Sequence, residues 1–172
     1  MANCNSLESI LKGCDTNSGG IYEAYIIDQD SITGVTVSAS AHTVTAIDLS
    51  LTEKFDTFQF KRNVGNMVVS PAIDLANGST YYTATISLVF HKREGSKSRA
   101  LQILAEGQRY LGIIIKDANG LYWYVDNAQL NGGDEDSGTA KADGSKYTVT
   151  FMAEMDNRPY VVDSAIIAGL LA

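Results

Sequence analysis

The stretch Thr80–Tyr124 reads TYYTATISLVF, HKREGSKSRALQILAEGQRY and LGIIIKDANGLYWY, and three hydrophobic periods succeed one another in it without overlap. Tyr82, Ala84, Ile86, Leu88 and Phe90 alternate with Tyr81, Thr83, Thr85, Ser87 and Val89, the period of two that marks a strand. Ser96 then precedes Ala100, Leu101, Ile103 and Leu104, and Gly107 follows. That spacing predicts a short amphipathic helix over 96–107 with Ser96 as N-cap and the glycine as stop. Leu111, Ile113 and Ile115 resume the strand period, Asp117–Gly120 is a turn, and Leu121–Val125 is an aromatic strand. A helix held between strands must lay its apolar stripe on the sheet, so the unit predicts a mainly β fold with one flanking helix. Its expected core is Ile86, Leu88, Phe90, Leu101, Leu104, Ile113, Ile115, Trp123, Val149 and Phe151.

At 172 residues the chain is long enough for one domain with a substantial core. Its charged share is 19 % and its formal net charge −7, which argues against non-specific binding to nucleic acid or a membrane surface. No apolar run approaches the length of a bilayer span, and residues 1–9 lack the basic and apolar regions of a secretory signal. Cys4 and Cys14 are therefore expected to be reduced, with a labile disulfide as the alternative. Asn77-Gly78-Ser79 fits a glycosylation acceptor but reads more simply as a turn.

Upstream of the central unit, residues 1–20 form a polar arm. Leu7, Ile10 and Leu11 outline one or two helical turns over Ser6–Lys12, too short to fold alone and so either docked on a neighbour or frayed. The domain proper is 21–172. Ile21–Asp28 opens the sheet, and Asp28–Ser31 turns. Val35–Ser38 and Thr43–Leu49 are thin strands around the corner Ala39–His42. Strands that bury so little often pair with another chain, which makes Val35, Val37 and Val44 inter-subunit candidates. The segment Phe55–Arg62 carries aromatics on both faces, one expected for the core and one for an intermolecular contact. Pro71 makes Met67–Ile73 end there or lie on an edge. Downstream, Asp126–Gly144 is the longest polar insertion, and Tyr147–Glu154 is expected to pair with Leu121–Val125 as a hairpin. Tyr160–Val162 is a last short strand, and Asp163 or Ser164 caps a terminal helix, Ala165–Leu171.

Catalytic patterns are absent from the sequence. His42 and His91 have no cysteine or carboxylate at ligand spacing, and no nucleotide-binding or nucleophile-elbow fingerprint occurs. Asp134-Glu135-Asp136 offers hard oxygen ligands but lacks the alternating ligand pattern of a calcium loop, so it reads as a solvated loop tip. No catalytic residue, cofactor or metal is expected. His91, Lys92, Arg93, Lys97, Arg99 and Arg109 form the one basic concentration, with Lys97 and Arg99 in the first helical turn, where the macrodipole disfavours cations. That penalty points to an outside partner. The expected contact is head-to-tail, from Lys92, Arg93, Lys97 and Arg99 of one copy to Asp134, Glu135 and Asp136 of the next. A solvated face and a nucleic-acid patch are the alternatives. Tyr122, Trp123 and Tyr124 suggest a sugar-stacking platform, but strand geometry sends Trp123 to the opposite face from the two tyrosines, which favours core packing.

The succession of these pieces resembles structural proteins of tailed bacteriophages. The pieces are an aromatic and threonine-rich strand, the basic bend His91–Arg93, the helix with ALQILAEG (100–107), a strand ending in KDANG (116–120), an aromatic strand, a polar hairpin and the closing Pro159–Val162. The likeness is to small tail-tube-like or tail ring proteins of phages infecting gut Bacteroidetes, including the crAss-like group, and it runs from Ile21 onward. The resemblance implies a β-sandwich with one flanking helix and extended hairpins, assembled in six-fold or twelve-fold rings around an axial channel in the tail or neck. It implies no enzymatic activity and no cofactor. The implied partners are further copies, adjacent tail or neck proteins, and DNA passing without specific binding, with no membrane. The implied location is the virion, after assembly in the host bacterial cytoplasm. The arm, Val35–Leu49 and 126–144 would be the bridging segments. An acidic channel lining would repel phosphates and offer no cations for counterion-release binding. The rival class is a carbohydrate- or host-receptor-binding β-sandwich.

Overall fold

The computed structural model describes residues 7–172, in which ten strands and two helices follow one another. They are β1 (Ile21–Asp28), β2 (Ile32–Ser38), β3 (Thr43–Leu49), β4 (Asp56–Gln59), β5 (Asn66–Asp74), β6 (Ser79–His91), α1 (Gly95–Ala105), β7 (Leu111–Asp117), β8 (Tyr122–Asp136), β9 (Lys146–Met155), β10 (Tyr160–Val162) and α2 (Ser164–Leu170). The fold is mainly β, with a second helix beside the one the central unit calls for.

All ten strands belong to one curled sheet. One arm runs in the order β2-β3-β10-β8-β7-β1-β4, the other β8-β9-β6-β5, and β8 belongs to both. Its first half pairs with β7, from Lys116↔Tyr122 to Leu111↔Ala128, and with β10. Its second half pairs with β9, from Gln129↔Met152 to Asp136↔Lys146. Between the halves Asn127 takes a left-handed conformation (φ 51°), and the ladders slip on either side of it, near Leu111/Ile113 and near Leu130/Gly132. Such bulges bend the strand and raise its twist, which turns one arm back over the other. Every pairing is antiparallel except that of β10 with β3.

Two cores result. Between the arms, Ala24, Ile26, Ile113, Ile115 and Val125 pack against Ile86, Leu88, Phe90, Val149 and Phe151. On the other face of the first arm, Tyr25, Ile27, Ile114 and Tyr124 meet Val44, Ile47, Phe55, Val162, Ile167 and Leu170. β7 is buried on both faces from Leu111 to Ile115, and burying one such Leu or Ile side chain fully contributes about 1.5–3 kcal/mol. Of the expected core, Leu101 only packs against the inter-arm core, and Trp123 is half-buried because its indole Nε1 donates to Asp117 Oδ2 at 2.9 Å.

Several expectations give way to tertiary constraint. Helix α1 is preceded by an extended Glu94 (φ −158°) without a side-chain cap, so Ser96 lies inside the helix rather than capping it. Gly107 does stop it, at φ 71°. Leu104 is the buried residue of α1 and joins the inter-arm core. The polar stretch from Asp126 is strand as far as Asp136, and it is this half of β8, not Leu121–Val125, that pairs with β9. Phe55 is buried in the second core, while Phe58 and Phe60 pack on the first and stay partly exposed. Phe55 is held by Leu170, whose carbonyl accepts from its N–H at 2.9 Å. Helix α2 starts where Asp163 Oδ1 accepts from the Ala165 N–H at 2.9 Å. Residues 7–14 carry no helix, and Leu7, Ile10 and Leu11 are exposed. Cys14 is exposed, whereas Cys4 and Ser6 lie outside the described residues.

Candidate functional site

The basic bend follows directly from the β6–β9 ladder. Its last pair, His91↔Lys146, sits beside Asp136↔Lys146, so the acidic end of β8 and the bend after β6 meet within one chain. Arg93 Nη2 lies 2.5 Å from Glu135 Oε1, and its Nε donates to the same oxygen at 2.5 Å. That carboxylate raises the affinity of Arg93 for its proton. Lys97 Nζ pairs with Glu94 Oε1 at 2.7 Å and donates to His91 O at 2.9 Å, and this pairing holds the Glu94 carboxyl below its ordinary range. Lys92 lies 3.7 Å from Glu94, and Lys146 lies 4.0 Å from Asp136. Arg109 is bound at another place, to Asp28 at 2.9 Å. The contact expected between copies, Arg93 to Glu135, is thus made inside the chain, which removes the reason to look for its partner on a neighbour. These pairs are solvent-exposed, so water screens them and they contribute little to stability. Arg99 is the exception, an exposed guanidinium with no carboxylate within 4 Å among the described residues.

The valine candidates separate. Val35 is exposed on β2, an edge strand, and Val37 is half-buried. Val44 is fully buried, because β10 pairs with Val44 from a segment more than a hundred residues away and α2 covers the same core. It cannot face another copy. The aromatic platform does not form either. Tyr124 is buried, with burial the main reason its hydroxyl holds its proton to well above the usual range, and Tyr122 stacks on Tyr25 at 6.4 Å. His42 stacks on Tyr160 at 4.2 Å and hydrogen-bonds Pro159 O at 3.2 Å. Among the described residues no group of three or more His, Cys, Asp and Glu stands where it could hold a metal ion, and no helix is long and apolar enough to cross a membrane.

What the geometry offers is an unfinished sheet. In the arm β5-β6-β9-β8, β5 pairs only with β6, and the second half of β8 pairs only with β9, among the described residues. One four-stranded layer therefore has an open border at each side. Pro71 lies within β5, and its nitrogen has no hydrogen to donate to the ladder with β6 or across the free edge. Beside the β8 border runs a groove of about 560 Å³, walled by Leu101 of α1 and by Leu130, Tyr147 and Val149. The face of this layer turned away from the core is set by register. It carries Thr83, Thr85 and Ser87 of β6, Thr148, Thr150 and Met152 of β9, and Ser70 and Val68 of β5. Its charged members are Asp74, Glu154, Asp134, and Lys146 beside Asp136. Pro71 leaves two sequence readings for this strand, an end or an edge; β5 runs on through Pro71 to Asp74 and is an edge, while the glycines and carboxylates of the β8 border have loop composition and give no such sign.

The fold and its surface define a mainly β protein with backbone pairing capacity left over on two sides of one layer. No protein-family model matches the chain, and no curated protein matches it.

Proposed function

We propose that the protein is a non-enzymatic structural subunit of a tailed-phage virion, one that self-assembles into a ring of the tail or neck around a channel for DNA. The observation that carries this reading is the pair of open borders on opposite sides of the β5-β6-β9-β8 layer. An unpaired border is a template for another strand. When the two complementary borders lie on one molecule, copies join head-to-tail, and a rotation that closes yields a ring. The donor missing at Pro71 narrows which strand and register β5 accepts, and so guards against indiscriminate aggregation.

The outward face of the same layer fits the inside of such a ring. Hydroxyls of Thr83, Thr85, Ser87, Thr148 and Thr150 dominate it, and its one lysine, Lys146, has Asp136 beside it. Phosphates moving past would find no row of cations, and thus no counterion release to hold them. Adjacent tail or neck proteins would cap the ring's ends.

Sedimentation velocity and negative-stain microscopy of the purified chain test the reading. Closed rings are expected for the wild type. Val68→Lys with Ser70→Lys places two exposed charges on β5 and should yield monomers whose stability lies within about 0.5 kcal/mol of the parent. A wild type that stays monomeric at high concentration, or rings indifferent to the two lysines, overturns it.

A further inference from the structure

Asparagine stands before glycine at 77–78, 119–120 and 131–132, and the fold treats the three pairs differently. Such a pair is where a backbone can attack its own side chain, because no Cβ screens the glycine nitrogen. Asn77 is held in the turn between β5 and β6, where its Nδ2 donates to Asp74 Oδ2 at 2.6 Å and its N–H to Asp74 Oδ1 at 3.2 Å. Asn119 is held between β7 and β8. Its Oδ1 accepts from the Ser18 N–H at 2.8 Å, its Nδ2 donates to Asn17 Oδ1 at 3.2 Å, and the Gly120 N–H donates to Asp117 O at 3.1 Å. Asn131 has no such restraint. It is the residue left without a partner where the β8–β9 ladder slips between Leu130 and Gly132. Its side chain is exposed, and no hydrogen bond holds its amide among the described residues. The other side of this half of β8 is the open border, and a Cβ on Gly132 would meet nothing within 4 Å. A bulge with a ladder on one side only is where a strand leaves the extended conformation most easily.

We propose that Asn131 is a site of spontaneous modification, converting to aspartate and isoaspartate through a cyclic imide formed with Gly132. The Gly132 nitrogen bonds to Asn131 Cγ, the Cγ–Nδ2 bond breaks, and ammonia leaves with the proton that the glycine nitrogen gives up. Water then opens the ring. Opening at Cγ gives an ordinary aspartate and restores the chain. Opening at the main-chain carbonyl gives isoaspartate, whose backbone runs through Cγ and is one methylene longer. The first product adds a negative charge next to Asp134, Glu135 and Asp136. The second throws the pairs from Gly132↔Thr150 to Asp136↔Lys146 out of register. The open border of β8 therefore ages. This chemistry stands without the ring reading; where copies do pair along β8, the neighbour shields the site.

Peptide mapping by mass spectrometry, after incubation of the full chain at mildly alkaline pH, follows all three pairs at once. The wild type is run beside the variant with Val68→Lys and Ser70→Lys, in which β5 is kept from closing the border. In that variant conversion is expected first at Asn131, with faster amide exchange over 133–136 in the converted protein. Gly132→Ala, added to it, should suppress the conversion and leave the fold intact, since the new methyl group has room. Conversion led by Asn77 or Asn119, conversion equal at all three or absent from all, or conversion at Asn131 undiminished by Gly132→Ala, overturns the assignment. A wild type that converts more slowly than the two-lysine variant supports the site and its shielding by a neighbour. Equal conversion at Asn131 in both supports the site and counts against border pairing.

Discussion

The two halves of β8 are one continuous strand with opposite fates. From Tyr122 to Ala128 it is flanked by β7 and β10, and Tyr124, Val125 and Ala128 are buried. From Asn131 to Asp136 it is exposed and has β9 on one side alone. The first half is built of aromatic and branched residues that fill two cores. The second is built of glycine and carboxylate, which contribute backbone pairing and little else. The difference teaches that strand and core are separable: backbone ladders extend a sheet well beyond the point where side chains have anything to bury.

The largest test breaks the closed half. Ile114 is fully buried across from Tyr124, and Ile114→Ala should cost about 2–5 kcal/mol in chemical denaturation. A cost below about 1 kcal/mol would mean that the second core is not packed to normal density. A middle-sized effect sharpens the contrast in the open half. A Cβ on Gly133 would stand 2.6 Å from the Thr148 carbonyl oxygen, so Gly133→Ala must push β8 off β9. The expected cost is about 1–3 kcal/mol, with faster amide exchange confined to the hairpin and the first half of β8 unaffected. Exchange that rises along the whole strand would show the halves to be coupled.

The smallest effect concerns acid. Asp74 is held below its ordinary range chiefly by the Asn77 side chain, Asp143 by the Ala140 and Thr139 N–H groups, and Glu94 by Lys97. A lowered folded-state value gives stability that is complete above the unfolded value and is lost as pH falls through the folded one. Thermal stability should therefore decline below about pH 4. All three groups are at the surface, so the decline should be shallow, and Asp74→Asn should remove part of it. An acid profile unchanged by Asp74→Asn would assign the decline to other carboxylates.

Much of the fold was legible because period two survives in β6 and β9, where a buried face alternates with a more open one. The second core was harder to read. Gly112 and Ile114 interleave with Leu111, Ile113 and Ile115, and the run alone does not say that both faces are covered. Val44 was misread for a related reason. Small valines and threonines look like a free hairpin until β10 arrives from the far side of the sequence. The pairing of Arg93 with Glu135 spans 42 residues and depends on the register of β9, which no local pattern announces. Asp136 and Lys146, flanking one polar turn, were the available hint that this turn closes a hairpin.

The hairpin β2–β3 is joined to the rest of the sheet by the three residues of β10, through bonds such as Val161 N–H to His42 O at 3.2 Å and Asp163 N–H to Val44 O at 3.0 Å. Its security is thereby lent by a distant stretch of the polypeptide. Should β10 and α2 detach, Val44 and Ile47 lose part of their cover and the hairpin loses its backbone link to the sheet. These pieces should open and close as a single latch, exchanging their amide hydrogens at a common rate while β1 and β7 stay protected.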